Sequence, residues 1–233
     1  MYDVRTVLVV PGDGDYQVIR MFTEEGWGIT DDISEADLVQ FVGGADVNPQ
    51  LYDQHCHTTT SFDDGRDERE MSVYLDALDQ GIPMAGICRG GQFLNVMNGG
   101  SLFQHVDNHG LGGTHKAWIT GALLPIEVTS THHQMMVPNY SAQFTLVMTA
   151  HQSKKKHSMS ALRNEVYETI HHPPNDHATD VEALFYPETR SFCFQPHPEY
   201  SGKHVAETRD VYFEFLDRYL FSDAIEEDLR DEA

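Results

Sequence analysis

Two short stretches of this chain carry residue types that could do covalent chemistry. In Gly86-Ile87-Cys88-Arg89-Gly90-Gly91-Gln92 a cysteine stands between glycines, after the apolar run Ile82 to Ile87 and before Phe93, Leu94, Val96 and Met97 at helical spacing. The run is long enough for a buried strand and too short for a helix, so the order is strand, sharp turn, helix, with the cysteine at the turn. Glycines there remove side chains that would clash in a strained turn. A thiol at a helix N-terminus faces free N–H groups and the positive end of the dipole, which can bring a pKa of about 8.5 down to about 3.5–7.5. A cysteine alone beside a glycine turn would be a small core residue; the glycines on both sides and the helix opening favour a nucleophile.

The second stretch is Pro196-His197-Pro198-Glu199. Prolines stiffen the backbone in an extended form, so His197 and Glu199, two residues apart, are expected on one side. A base delivered together with the carboxylate that orients it is what an activated cysteine needs. On its own a His-Pro pair is as readily a loop.

Other chemistry-bearing residues are weaker signals. Pro11-Gly12-Asp13-Gly14 lacks the spacing and the lysine of a phosphate loop and reads as a turn. Gly43-Gly44 ends a strand, where free backbone N–H groups could face a ligand. His55-Cys56-His57 has metal-ligand residue types but no second cluster with matching spacing, so it reads as a surface loop. His105, His109 and His115 are unevenly spaced in a Gly- and Asn-rich segment and read as polar loop residues. Lys154-Lys155-Lys156-His157 is the one basic cluster, and His171-His172-Pro173-Pro174 reads as an extended loop.

These residues need a frame. Thr6–Val10, Trp27–Ile29, Leu38–Val42 and Ile82–Ile87 read as strands alternating with helices, which implies a mostly parallel sheet with helices on both faces. Asp13 or Asp15 is expected to cap a helix carrying Val18, Ile19 and Phe22, and Asp64 one that turns Met71, Leu75 and Leu78 inward. Further on, Ile126–Thr129 and Phe144–Met148 read as strands. Val181–Tyr186 and Ser191–Gln195 form a hairpin around Pro187-Glu188-Thr189, and Val205–Phe221 a last core-facing helix. The 233 residues suffice for one large α/β domain, placed at residues 1–222, with 223–233 as an acidic tail. A hydrophobic content of 40% supports a core, and a net charge of −22 disfavours nucleic acid or an anionic membrane as a partner. Three cysteines without scaffold spacing, no signal peptide and no apolar run near 18 residues suggest a reduced, cytoplasmic-type protein.

The cysteine and His-Pro-Glu motifs together resemble the signature of class I glutamine amidotransferases. Within that superfamily, Gly43 to Tyr52, the helix start Arg66-Asp67 to Glu70, and His132-His133-Gln134 are similar to the γ-glutamyl hydrolase branch (peptidase C26-like, the type that cleaves γ-glutamyl-γ-aminobutyrate). The resemblance runs in order from Thr6 to Leu220. It implies a flavodoxin-like αβα sandwich with antiparallel strands at one side. It implies Cys88 as nucleophile, His197 as general base and then acid, and Glu199 as the group orienting His197. Backbone N–H groups of Gly43 or Gly44 and of Arg89 would form an oxyanion hole, and Gln92, His133 and Gln134 would line the glutamyl pocket. No metal or organic cofactor is implied. The substrate would be glutamine or a γ-glutamyl amine, and a separate synthetase or ligase could accept the ammonia; a stand-alone hydrolase and a non-catalytic scaffold are the alternatives. Three departures stand out: Pro196 occupies a position where the family more often has an aromatic residue, little lies between Gly26 and Leu38, and the loops from Asn108 to Ala117 and from Ser153 to Asp180 match nothing in the family and are expected to set substrate choice.

Overall fold

The computed structural model describes residues 4–107, 109–110, 112–151, 156–159, 166–167, 179–202 and 205–222. Along the chain the strands are β1 (Thr6–Val9), β2 (Gly28–Ile29), β3 (Leu38–Phe41), β4 (Met84–Ile87), β5 (Ser101–Phe103), β6 (His105–Val106) and β7 (Thr114–Ile119). They continue as β8 (Ile126–Thr129), β9 (Met135–Val137), β10 (Thr145–His151), β11 (Lys156–Met159), β12 (Val166–Tyr167), β13 (Thr179–Tyr186) and β14 (Ser191–Phe194). The helices are α1 (Asp15–Glu24), α2 (Asp64–Gln80), α3 (Arg89–Met97) and α4 (Ala206–Leu220).

The main sheet runs β2-β1-β3-β4-β14-β13-β10-β7-β8. From β2 to β14 every pairing is parallel, and from β14 to β8 every pairing is antiparallel. Alternation along each strand feeds two cores. On one face Val7, Leu38, Ala85, Phe192 and Phe194 pack with Val18 and Phe22 of α1 and Tyr212, Phe215 and Leu216 of α4. On the other, Val39, Phe41, Met84 and Cys193 pack with Tyr74 and Ala77 of α2 and Phe93 and Leu94 of α3. This is the expected αβα sandwich, with its antiparallel half carrying the His197 hairpin, β13 to β14.

Four expectations need correction. Helix α1 starts from Gly14 in the left-handed conformation, with no side-chain cap from either aspartate. Helix α2 is capped by Asp63, whose carboxylate accepts from the Gly65 and Arg66 N–H groups at 2.9 and 3.3 Å, so Asp64 is its first residue. The inner face of α2 is not Met71-Leu75-Leu78: Leu75 is 55% exposed, while Arg66, Asp67, Glu70, Tyr74 and Ala77 are buried. The helix has turned its charged residues inward because a buried guanidinium, Arg89, sits opposite them. Finally, β5, β6, β7 and β9 are short strands where the sequence reads as loop. Between Gly26 and Leu38 lie only the two-residue β2 and one 3₁₀ turn, Ile33–Glu35. Lys154, Lys155, His171-His172-Pro173-Pro174 and residues 223–233 lie outside the described residues.

Helix α3 lies on the sheet backbone to backbone. A Cβ added at Gly86 would stand 2.3 Å from the Gly90 carbonyl carbon, and one at Gly90 would stand 2.5 Å from the Phe41 carbonyl oxygen. Neither obstacle is a flexible side chain, so nothing nearby can yield. Gly86→Ala should therefore cost more than the roughly 1–3 kcal/mol of ordinary overpacking. The check is the urea midpoint; a loss below about 1 kcal/mol would show that the helix can lift off the strand.

Candidate active site

Cys88 joins β4 to α3 with φ 51° and ψ −112°, a left-handed backbone that a side-chain-bearing residue adopts only under constraint. The constraint is visible on both sides. The Cys88 N–H donates to the Phe194 carbonyl at 2.7 Å, and the Cys88 carbonyl accepts from the Gln92 N–H at 3.0 Å. The strained turn thus places the thiol, 8% exposed, over the N-terminus of α3.

Strand β14 runs parallel beside β4 and carries the chain on to His197. The backbone turns at Pro198-Glu199 instead of staying extended, yet the two side chains still meet: His197 Nδ1 lies 2.6 Å from Glu199 Oε1. The His197 N–H donates to Thr129 Oγ1 at 2.7 Å, which ties this segment to β8. With Nδ1 engaged by Glu199, the other ring nitrogen is left for Cys88, which acts on the imidazole from beside it. Gly43 fits between them: a Cβ there would be 2.9 Å from His197 Cε1 and 3.8 Å from Cys88 Cβ. Burial alone would lower the His197 pKa. The negative charge and hydrogen bond of Cys88, together with Glu199, outweigh burial and hold the imidazole well above its ordinary value.

The loop bearing Gly43 and Gly44 is held from below by buried charge. Arg66 donates to the Val42 and Gly43 carbonyls at 3.0 and 2.8 Å and pairs through Nε with Glu70 at 2.8 Å. Arg89 pairs with Asp67 and Glu70 and donates from Nε to the Ala45 carbonyl at 3.1 Å. Asp67 in turn accepts from the Asn48 N–H at 3.0 Å. Burial and the neighbouring Arg66 push the Arg89 guanidinium down to about 9, still protonated at neutral pH. Two guanidinium and two carboxylate groups thus neutralise one another while their spare hydrogen bonds fix residues 42 to 48.

Comparison with known proteins decides the family. A model of the peptidase C26 family matches residues 7–199. The chain belongs to the peptidase C26 family. It is 33% identical over 104 residues to a glutamine amidotransferase-like protein of Lactococcus lactis subsp. lactis, 44% of each chain. The chain spans less than half the length of the curated relatives it matches. Two solved structures share its fold. PurLQS from Thermotoga maritima has a TM-score of 0.61 at 16% identity, covering 92% of this chain and 98% of that one. A Thermoplasma acidophilum protein described as one of the subunits of GMP synthase has a TM-score of 0.59 at 20% identity, covering 99% and 98%. The chain is a class I glutamine amidotransferase-like domain.

Other residues of this C26 domain fall into place around the cysteine. Gln92, on the first turns of α3, donates to the Gln195 side chain at 3.1 Å and to the Gln134 carbonyl at 3.4 Å. Gln134 donates to Thr60 Oγ1 at 3.3 Å, and His133 Nε2 lies 3.1 Å from Asp46 Oδ1. His133 and Gln134 therefore brace the segment from residue 46 to 60. Tyr200 escapes sequence reasoning. Its ring stacks on the His197 imidazole, centroids 4.3 Å apart at 12°. An aromatic three residues after the histidine was the only signal. Of the three histidines read as polar loop residues, His109 and His115 are not scattered: with His132 their rings gather around Glu182. The loop His55-Cys56-His57 is a surface loop as expected, pinned by Gln104, which donates to Gln54 Oε1 and the His55 carbonyl at 2.8 Å each. Among the described residues, no helix is long and apolar enough to cross a membrane.

The histidine's environment sets a pH test. Because its folded value is raised, the stability it adds is fully present below the unfolded value of about 6.5 and is lost as pH rises through the folded value. Proton NMR of the His197 ring should show its midpoint well above about 6.5, and Cys88→Ala or Glu199→Gln should lower it. A midpoint that ignores both substitutions would mean that the three groups do not share charge. Glu70→Ala should cost about 3–5 kcal/mol in denaturant unfolding, since it removes a buried carboxylate shared by two buried guanidinium groups.

Proposed function

We propose that this chain is a cysteine hydrolase of the glutamine amidotransferase type that cleaves the γ-amide of glutamine or of a γ-glutamyl amine. The observation that carries the reading is the chain of contacts from Cys88 to His197 to Glu199, with the cysteine on a strained elbow at a helix N-terminus.

The raised imidazole keeps a proton on the His197 ring beside the sulfur, ready for the leaving group. The thiolate attacks the γ-carbonyl, and the oxyanion takes hydrogen bonds from the backbone N–H of Gly43 or Gly44 and of Arg89. One such donor contributes about 2.7–4 kcal/mol. His197 then protonates the leaving nitrogen, so ammonia or an amine departs and a γ-glutamyl thioester remains on Cys88. Unprotonated again, His197 takes a proton from water, which attacks the thioester; glutamate leaves and the thiol is restored. Glu199 keeps the imidazole in the right tautomer through Nδ1. Gln92, His133 and Gln134 are proposed to meet the glutamyl end of the substrate. The remaining cysteines suit other places: Cys193 is fully buried, with burial raising its thiol well above the ordinary value, and Cys56 sits on the exposed loop.

Delivery of ammonia to a synthetase or ligase is the preferred context. Its support is the relative named as glutamine amidotransferase-like and the shared fold with a protein described as part of a synthase. Hydrolysis of glutamine and of γ-glutamyl amines, measured alone and with candidate acceptor enzymes, tests both levels. Cys88→Ala should reduce turnover on the order of 10³-fold or more, and a glutamine-mimicking electrophile should label Cys88 before Cys56. Full turnover in Cys88→Ala would sink the mechanism; fast glutamine hydrolysis that no partner changes would leave a stand-alone hydrolase.

A further inference from the structure

We propose that His109, His115, His132 and Glu182 form a binding site for one divalent first-row transition ion of the Zn²⁺ class, separate from the cysteine centre. One ligand atom from each of the four lies within 4.8 Å of every other. From Glu182 Oε1, His115 Nε2 is at 3.0 Å, His109 Nδ1 at 3.3 Å and His132 Nε2 at 3.6 Å. Tetrahedral ligands on bonds of about 2.0–2.1 Å stand about 3.3 Å apart, so the spacings from Glu182 fit as they are, and any wider histidine pair, at most 4.8 Å apart, closes around the ion.

The backbone builds this cluster. Glu182 projects from β13 and His115 from β7, two strands on either side of β10. His109 and His132 come from segments that pair with each other: the His132 N–H donates to the His109 carbonyl, and the Gly112 N–H to the Ser130 carbonyl, both at 3.0 Å. Side-chain exposure is 2% or less for His109, His132 and Glu182, and 16% for His115. Buried polar atoms are almost always given a partner. Here His109 Nδ1, His132 Nε2 and Glu182 Oε2 have no hydrogen-bond partner, and all belong to groups directed into the cluster.

The far sides of two of the three rings, His109 and His132, are arranged as metal-bound imidazoles require, while His115 Nδ1 has no protein partner. A ligating histidine gives its other ring N–H to a carboxylate or a backbone carbonyl, which fixes the tautomer. His109 Nε2 lies 2.8 Å from Asp180 Oδ2, and His132 Nδ1 lies 3.0 Å from the Gln134 carbonyl. Both leave the inward nitrogen as a lone pair. Three imidazoles and one carboxylate suit Zn²⁺ or Co²⁺ over Mg²⁺ or Ca²⁺, which take oxygen ligands. Four protein ligands in a buried site leave no open position, so the ion's role is structural. Through His132 it would hold the Gln134 carbonyl, to which Gln92 also donates, and so stiffen one wall of the cysteine site.

The test uses the full chain. Elemental analysis of protein purified without chelator should find about one equivalent of Zn²⁺ or another first-row ion. After chelation, Co²⁺ should restore visible ligand-field absorption without the thiolate charge-transfer band that Cys56 or Cys88 would produce. Cys88→Ser and Cys56→Ser should leave the stoichiometry unchanged, while His132→Ala and Glu182→Gln should abolish it. Where circular dichroism shows that those two do not fold, His115→Ala at the rim should fold and bind Co²⁺ at least tenfold more weakly. Zn²⁺ should raise the melting temperature of the stripped wild-type protein but not of His132→Ala or Glu182→Gln. A metal-free wild type that takes up neither Zn²⁺ nor Co²⁺, or uptake that survives His132→Ala and Glu182→Gln, would overturn the proposal.

Discussion

Helix α3 begins one residue after a buried strand ends, and at that joint the two backbones touch with no side chain between them. The contact is what fixes the position of the Cys88 sulfur. Glycines at 86, 90 and 91 are required because Gly90 backbone atoms, the Phe41 carbonyl and the Phe194 N–H occupy the places where their Cβ atoms would be. Close packing of this kind converts sequence into geometry: once helix and strand are pressed together, the connecting residue is driven into a left-handed backbone that it would not choose alone. Parallel pairing of β14 with β4 then delivers His197 beside the same joint.

Electrostatics carries the next layer. Much of the charge in this acidic chain is solvated, but Arg66, Asp67, Glu70 and Arg89 are buried together under the Gly43 loop. Buried ion pairs are poor sources of net stability, and their value lies in geometry. Here they spend their remaining hydrogen bonds on the carbonyls of residues 42, 43 and 45, which fixes the backbone of that loop beside the cysteine. The antiparallel half of the sheet is organised by a second set of buried polar groups around Glu182, joined through His132 to the Gln134 carbonyl.

Much of this was legible beforehand, for a physical reason. Glycine-flanked Cys88 and the Pro-His-Pro-Glu run are local signals, since glycines and prolines within a few positions announce an unusual backbone around a reactive side chain. The parallel strands were equally plain, being short apolar runs closed by Gly or Pro. What escaped was set by contacts distant in sequence. The inward face of α2 looked like Met71-Leu75-Leu78 because hydrophobic periodicity is blind to a buried arginine supplied by α3. The short strands β5 to β7 and β9 lie in a segment rich in Gly, Asn and His, where no periodicity develops. His109, His115 and His132 are unevenly spaced because two loops and a strand bring them together, and their partner Glu182 is 50 residues beyond His132. Tyr200 is conspicuous only once its ring is seen on the imidazole.

The account rests on a covalent bond forming at one sulfur. Intact-protein and peptide mass spectrometry after rapid acid quenching of a turnover mixture with glutamine or a γ-glutamyl amine addresses it most directly. A γ-glutamyl adduct on the peptide containing Cys88, lost in hydroxylamine as a thioester should be, is the expected result. Steady product formation with Cys88 unmodified, or an adduct confined to Cys56, would contradict it.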